Sequence, residues 1–215
     1  MTDVFREVDE EVRRDKMTAL LRRYGVALLA LAVLIVAGVG AFVWWRQHQA
    51  AQRSAYGVEL SRALTLGQGG DAKGAATAAA ALAAKAKDEG YGLLARFVEA
   101  AGLIESGDRD GALARLDGIA RDTAVDQMFR DLALLRAAYL RVDDEAAPAF
   151  MQRLVPLLAE GGAWRFSALE LAAASALRAG DKDGARGHLK KITDDAAAPS
   201  GLRARAAELL SSLGG

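Results

Sequence analysis

No cysteine occurs anywhere in this sequence. Disulfides and thiolate metal sites are therefore excluded. Histidine is almost as scarce. His48 and His188 are too far apart to make a ligand pair at metal-binding spacing. Two isolated imidazoles also leave Ser54, Ser61, Ser106, Ser167, Ser175 and Ser200 without an evident base for a nucleophilic triad. No Gly-x-x-x-x-Gly-Lys-Ser/Thr phosphate loop is present, and Gly69-Gly70 and Gly161-Gly162 are too sparse to replace one. The acidic clusters Asp143-Asp144-Glu145 and Asp194-Asp195 fall in expected turns, where caps and solvated acids account for them. The expectation is a protein without cofactor, metal or catalytic residues, hence not an enzyme.

Net charge is missing too. The chain carries 28 basic and 28 acidic side chains. A neutral chain lacks the long-range field on which nucleic-acid binders depend, so no nucleic-acid partner is expected. Arg121, Arg130, Arg136 and Arg141 are interleaved with Asp122, Asp126, Asp131, Asp143 and Asp144, which makes a mixed, solvated face rather than a basic patch. Proline is limited to Pro148, Pro156 and Pro199, and alternating Val/Ile/Thr runs are absent. Alanine, the best helix former, is abundant. The expected fold class is all-α.

What the chain does have is an uninterrupted apolar run, Gly25–Trp45, with no charged, amide or hydroxyl side chain. As a helix rising 1.5 Å per residue it would be about 31 Å long, which matches a bilayer core of roughly 30 Å. The expected organisation is a charged tail at 1–23, a transmembrane helix at 24–46 and a helical domain at 47–215. Arg22, Arg23 and Tyr24 on one side, and Trp44, Trp45 and Arg46 on the other, are the expected membrane-interface anchors. Basic residues Arg13, Arg14, Lys16, Arg22 and Arg23 crowd the tail side, whereas Arg46 and Arg53 stand alone beyond the span. That asymmetry predicts a cytoplasmic N-terminus and an exported C-terminal domain, in a bacterium the inner membrane and periplasm. The competing reading is a signal peptide cleaved near Gly40. The run continues through Phe42 to Trp45, however, and the tail is long and holds six acids, so the expectation is an uncleaved anchor.

The tail itself places Val4, Val8 and Val12 at helical spacing, with Phe5 beside them. It reads as a charged helix that fixes topology, or as an amphipathic helix for a membrane surface or partner. Ala37 and Ala41 form one small-xxx-small pair in the span. The oligomeric state is not legible.

The domain is built on an internal repeat. Gly107-Asp108-Arg109-Asp110-Gly111-Ala112 recurs as Gly180-Asp181-Lys182-Asp183-Gly184-Ala185, and Gly70-Asp71-Ala72-Lys73-Gly74-Ala75 precedes both. Val142-Asp143-Asp144-Glu145-Ala146-Ala147 sits midway between the two strong copies as a degenerate turn. Glycine can close one helix in the left-handed conformation, and aspartate can cap the next. Ala112 and Ala185 permit close packing, with Leu116 and Leu189 four residues on. Each unit is thus expected to be a helix–turn–helix hairpin. First helices are expected at 49–66, 91–106, 125–141 and 163–179, and second helices at 71–88, 110–121, 146–160 and 182–194. A final helix at 200–213 offers Leu202, Ala206, Leu209, Leu210 and Leu213 to cover the open end.

Hairpins of this length with small packing residues resemble the tetratricopeptide repeat, which implies a tetratricopeptide-like α-solenoid of about four hairpins plus a capping helix. The Gly107/Ala112/Leu116 and Gly180/Ala185/Leu189 sets carry that likeness. The whole layout resembles the ancillary SecYEG translocon subunit family. The carrying stretches are Tyr91-Gly92-Leu93-Leu94-Ala95, Ala179-Gly180-Asp181-Lys182-Asp183-Gly184-Ala185-Arg186, and Trp164 after Gly161-Gly162-Ala163. The resemblance implies a single-pass inner-membrane protein that presents its repeats to the periplasm beside the protein-export channel. Its implied partners are the Sec translocon or periplasmic chaperones. Most large aromatics fall on first helices, which line the concave side of tetratricopeptide arrays, so Phe97, Ile104 and Trp164 are expected partner contacts. The bland alternative places them in the core between hairpins. A rival function is a structural scaffold of envelope or cell-division complexes, with the tail contacting a second partner.

Overall fold

The structure, a computed structural model, describes residues 3–87 and 90–214; the side chains of residues 3–23 and of Leu28 are outside the described set. Arg22 and Arg23, and the apolar stripe expected on the tail, therefore lie outside the described side chains. Nine α-helices follow one another, with no strand among the described residues. They are α1 (Asp3–Gln68), α2 (Ala72–Lys85), α3 (Gly90–Glu105), α4 (Arg109–Arg121), α5 (Gln127–Arg141), α6 (Ala147–Leu154), α7 (Arg165–Arg178), α8 (Lys182–Thr193) and α9 (Ser200–Ser212). The chain divides into two compact units, Met1–Ala55 and Tyr56–Gly215.

In the first unit, α1 carries the apolar run. Among the described residues it is the one helix long and apolar enough to cross a membrane; its most apolar 18-residue window has a mean hydropathy of 2.9 and no buried residue. Val26, Leu34, Val36, Val39, Phe42, Trp44 and Trp45 are all exposed.

The second unit is a row of hairpins: the end of α1 with α2, then α3–α4, α5–α6 and α7–α8. Each later first helix packs on the second helix of the hairpin before it: α3 on α2, α5 on α4, α7 on α6 and α9 on α8. The core is accordingly a chain of small clusters rather than one centre. One joins Leu82, Ala86 and Ala95 under Tyr56, Leu60 and Tyr91. The next joins Phe97, Leu116, Ile119, Ala133 and Ala137. A third centres on Phe150, Leu154, Leu157, Ala168 and Ala172, and a fourth on Leu169, Leu189, Ile192 and Ala206. Neighbour-only contacts of this kind are the mark of a solenoid.

Three turns share one mechanism. Gly70, Gly107 and Gly180 have φ of 85°, 84° and 78°, the left-handed region open to glycine. Around Gly107, the Gly107 amide donates to Ile104 O at 3.0 Å and the Asp108 amide donates to Leu103 O at 2.8 Å, the paired bonds of a Schellman stop. Asp108 then caps α4: its Oδ1 accepts from the Gly111 amide at 3.0 Å. Asp71 and Asp181 repeat this with Gly74 and Gly184, each at 2.8 Å. One aspartate thus ends one helix and starts the next. Behind each cap, Ala75, Ala112 and Ala185 are buried, and Leu116 and Leu189 are fully buried on the same face.

The degenerate turn is built differently. Ala146 stands at the N-cap without a side-chain bond, and Pro148 opens the helix. Arginines hold it instead. Arg153 donates to Glu145 Oε1 at 2.8 Å, Arg109 pairs with Asp144, and Arg178 donates to the Glu145 carbonyl. The helix expected over 146–160 is also corrected. It stops as α-helix at Leu154 and tightens into a 3₁₀ turn over Val155–Leu158, because Pro156 has no amide to continue the ladder. At the far end α9 buries Ala206, with Leu202, Leu210 and Leu213 packed beside it, while Leu209, expected in the cover, is exposed.

Candidate protein-interaction surface

The first helices supply most of the exposed apolar surface of the second unit. Val58 and Leu64 on α1, Leu94 and Ile104 on α3, Met128 and Tyr139 on α5, and Leu209 on α9 are large apolar side chains left open; on the second-helix side the counterpart is Val155. Scattered exposed leucines need no explanation. Their concentration on one class of helix gives the stack a side that differs from its back.

Charged groups link these helices. Arg205 Nε donates to Glu170 Oε1 at 2.9 Å, tying α9 to α7. Tyr139 on α5 lies beside this pair; burial first, and the Glu170 charge second, push its phenol above the ordinary value. Arg136 lies over the Phe97 ring at 5.4 Å, a cation–π contact between α5 and α3. On the other hairpin faces, Arg141 forks onto Asp117 at 3.1 and 2.7 Å, and Arg96 Nη1 reaches Asp122 at 2.8 Å. The Arg96 guanidinium, then the Ala124 amide, hold the Asp122 carboxyl below its usual range. The Ala197 amide and Arg165 do the same for Asp195. Of these charged residues, sequence reasoning placed Arg136, Arg141 and Asp122 in a solvated mixed face, read Asp195 as a turn acid and did not single out the others. Their separations of 24 to 35 residues, about one repeat, were the available signal.

The three expected partner contacts part company. Phe97 is 8% exposed and sits in the second core cluster, so its ring is committed to the inter-hairpin packing. That is a correction, and its cause is the small Ala133 and Ala137 opposite, which leave room for the ring between α3, α4 and α5. Trp164 is half-buried at the N-cap of α7; its indole Nε1 donates to Met128 O at 3.1 Å and its ring packs on the third cluster. Ile104 is 41% exposed and remains open.

At the domain end of the apolar run, Trp44 stacks on His48 with centroids 5.7 Å apart and 15° between planes, and Arg46 lies 5.8 Å over Phe42. His48 and Gln52 are in hydrogen-bond contact at 3.3 Å. Tyr24, Trp44 and Trp45 are all exposed. Among the described residues no three His, Asp or Glu side chains cluster as a metal site.

These features agree with comparisons to known proteins. The tetratricopeptide repeat-like domain family matches residues 19–187. The ancillary SecYEG translocon subunit of Escherichia coli (strain K12) is 30% identical over 179 residues, 82% of this chain and 84% of that protein. The chain belongs to the ancillary SecYEG translocon subunit family. No solved structure matches it. In this member of the family the matched stretch takes in the apolar run of α1 and every hairpin turn, and α9 lies beyond it. The family's repeat-like domain is thus present as three Gly-Asp turns plus one turn held by arginines.

Proposed function

We propose that this chain is a single-pass membrane protein whose repeat domain binds polypeptide partners beside the Sec protein-export channel. The observation that carries the proposal is the pairing of an uncovered, membrane-length apolar helix with a solenoid of the ancillary SecYEG translocon subunit family. In this reading residues 1–23 are the cytoplasmic tail, 24–46 the span and 47–215 the periplasmic domain. Arg22, Arg23 and Tyr24 mark the cytoplasmic interface and Trp44, Trp45 and Arg46 the periplasmic one, since aromatic rings and basic side chains settle at headgroup depth. Tethering raises the local concentration of the binding surface at the channel exit, so modest affinity suffices. The open first-helix face, with Ile104 and the α7 start at Trp164, is where a partner or an emerging chain is met.

Two measurements test this. A reporter active only after export, fused at Gly215, is expected to be active; activity confined to cytoplasmic reporters overturns the topology. Full-length protein extracted in mild detergent is expected to co-purify with translocon subunits. Loss of all such association under conditions that keep the translocon intact overturns the Sec assignment.

A further inference from the structure

The two basic side chains that follow the apolar run stand on one face of α1. Phe42, Arg46, Gln49 and Arg53 succeed one another at steps of four, three and four residues, all within the first unit. On a helix of 3.6 residues per turn they fall within an arc of about 60°, and the two arginine positions are about 10 Å apart along the axis. A different side carries the Trp44–His48 stack and Gln52. The Arg46 guanidinium lies over the exposed Phe42 ring at 5.8 Å. Arg46 makes no hydrogen bond or ion pair among the described residues. No carboxylate of α1 is within its reach. The sequence has no Asp or Glu between Asp15 and Glu59, and Glu59 accepts from Lys85 Nζ at 2.9 Å. Gln49 lies between the arginines and is half-buried, whereas its neighbours on either side are exposed.

We propose that Arg46, with Gln49 and Arg53 on the same face, binds the phosphodiester of an anionic phospholipid in the leaflet at the exported end of the span. The proposal rests on reading α1 as a membrane span, and it gives that anchor a lipid preference. Depth comes first. Trp44 and Trp45 settle in the headgroup zone, and Arg46 is the next residue, so its N–H donors open among phosphates. A guanidinium fork matches two oxygens of one phosphate. Phe42 lies one turn back toward the span, and its ring face attracts the cation and holds it at that depth. The Gln49 amide, one turn further on, adds a neutral donor. Charge then selects the lipid. Residues 24–58 carry Arg46 and Arg53 and no acid. A zwitterionic lipid brings its own ammonium group, which competes with the arginines for the phosphate. An anionic lipid brings no such competitor, and each basic side chain at a membrane surface favours it by roughly fivefold. Free inorganic phosphate offers the same oxygens but has no acyl chains to hold it at this depth.

The test reads tryptophan fluorescence of the full-length protein in bilayer nanodiscs. A Trp164→Phe background leaves Trp44 and Trp45 as the emitters. Quenching is compared between phosphatidylglycerol and phosphatidylcholine, each brominated on its acyl chains near the glycerol. Phosphatidylglycerol is expected to quench more strongly, and Arg46→Gln should lower its relative association constant about fivefold. Arg46 is exposed, so the variant should melt with the parent. Arg22→Gln, at the other end of the run, should leave the preference unchanged. Excess inorganic phosphate should leave it unchanged too. Equal quenching by the two lipids, or the parent's preference in Arg46→Gln, overturns the headgroup site while the span stands. A loss as large in Arg22→Gln marks general surface charge and also overturns the site. Displacement by inorganic phosphate assigns the site to a free anion and overturns the lipid. If neither lipid quenches Trp44 and Trp45, the span reading falls with the site.

Discussion

Asp108 and Gly111 are made for each other. The carboxylate of Asp108 bonds the Gly111 amide at 3.0 Å, and a Cβ on Gly111 would fall 2.5 Å from its Oδ2. The cause is the backbone of Asp108, at φ −85° and ψ 74°, which swings the carboxylate under the third helical residue. Asp126, at φ −55° and ψ 143°, caps the Met128 amide instead and has no glycine following it.

This pairing predicts a change of sign in a double-mutant cycle. Asp108→Ala should cost about 1 kcal/mol, the usual value of an N-cap. Gly111→Ala alone should also destabilise, because the new methyl displaces the capping carboxylate. With Asp108→Ala already present, Gly111→Ala should become neutral or stabilising, since alanine is the better helix former by about 1 kcal/mol. Melting of the four proteins in detergent measures the coupling; additive shifts contradict it.

Gly102→Ala should be among the costlier single-methyl changes. Its Cβ would meet the backbone of α2 at 2.8 Å (Ala72 O) and 2.9 Å (Ala76 N), and main chain cannot rotate away as a side chain can. A loss of about 1–3 kcal/mol is expected from such overpacking. Gly118→Ala, whose Cβ would meet nothing within 4 Å, is the control and should raise or preserve the melting temperature.

Trp164→Phe keeps the aromatic bulk against the third cluster and deletes the bond to Met128 O. The cost should be about 1 kcal/mol, a typical net hydrogen bond that leaves a partly accessible carbonyl free to find water. Thermal melting reads it. A loss several times larger would mean that the indole ring, not its N–H, joins α7 to α5.

Acidification should weaken the fold through His188. Burial first, and Lys191 second, lower its pKa from 6.5, and its Nδ1 is buried without a partner. The unfolded chain therefore takes up the proton before the folded chain does. Stability contributed by the neutral ring is present above pH 6.5, falls as pH drops below it, and levels off once the folded ring is protonated too. His188→Gln should flatten that segment of the stability–pH curve. Melting from pH 7.5 to 5.0 tests this; an unchanged slope in the variant rules His188 out.

Much of this was legible in the sequence for a simple reason: local chemistry was specified locally. Twenty-one apolar residues in a row, and a Gly-Asp-x-x-Gly-Ala string that ends one helix and caps the next, act over a few neighbouring residues. They carried the all-α class, the hairpins, their spacing and the family. The string leaves no trace at 142–147, because that turn is held by Arg109, Arg153 and Arg178, which come from elsewhere in the chain. The break at Pro156 was visible as a residue, but whether it kinked or ended the helix was a matter of what followed it.

Which aromatic serves the core and which faces out was a tertiary decision. Phe97 and Ile104 lie on the same helix, two turns apart, and read alike in sequence; the small Ala133 and Ala137 of the next hairpin draw in one ring, while nothing packs over the other side chain. The same holds for the edge of α1. Val58, Arg62 and Thr65 are ordinary residues of an amphipathic helix until the stack is assembled. Only then does it emerge that their counterparts in α3 and α7 are covered by the neighbouring hairpin and that they are exposed, because burial depends on what packs beside each helix.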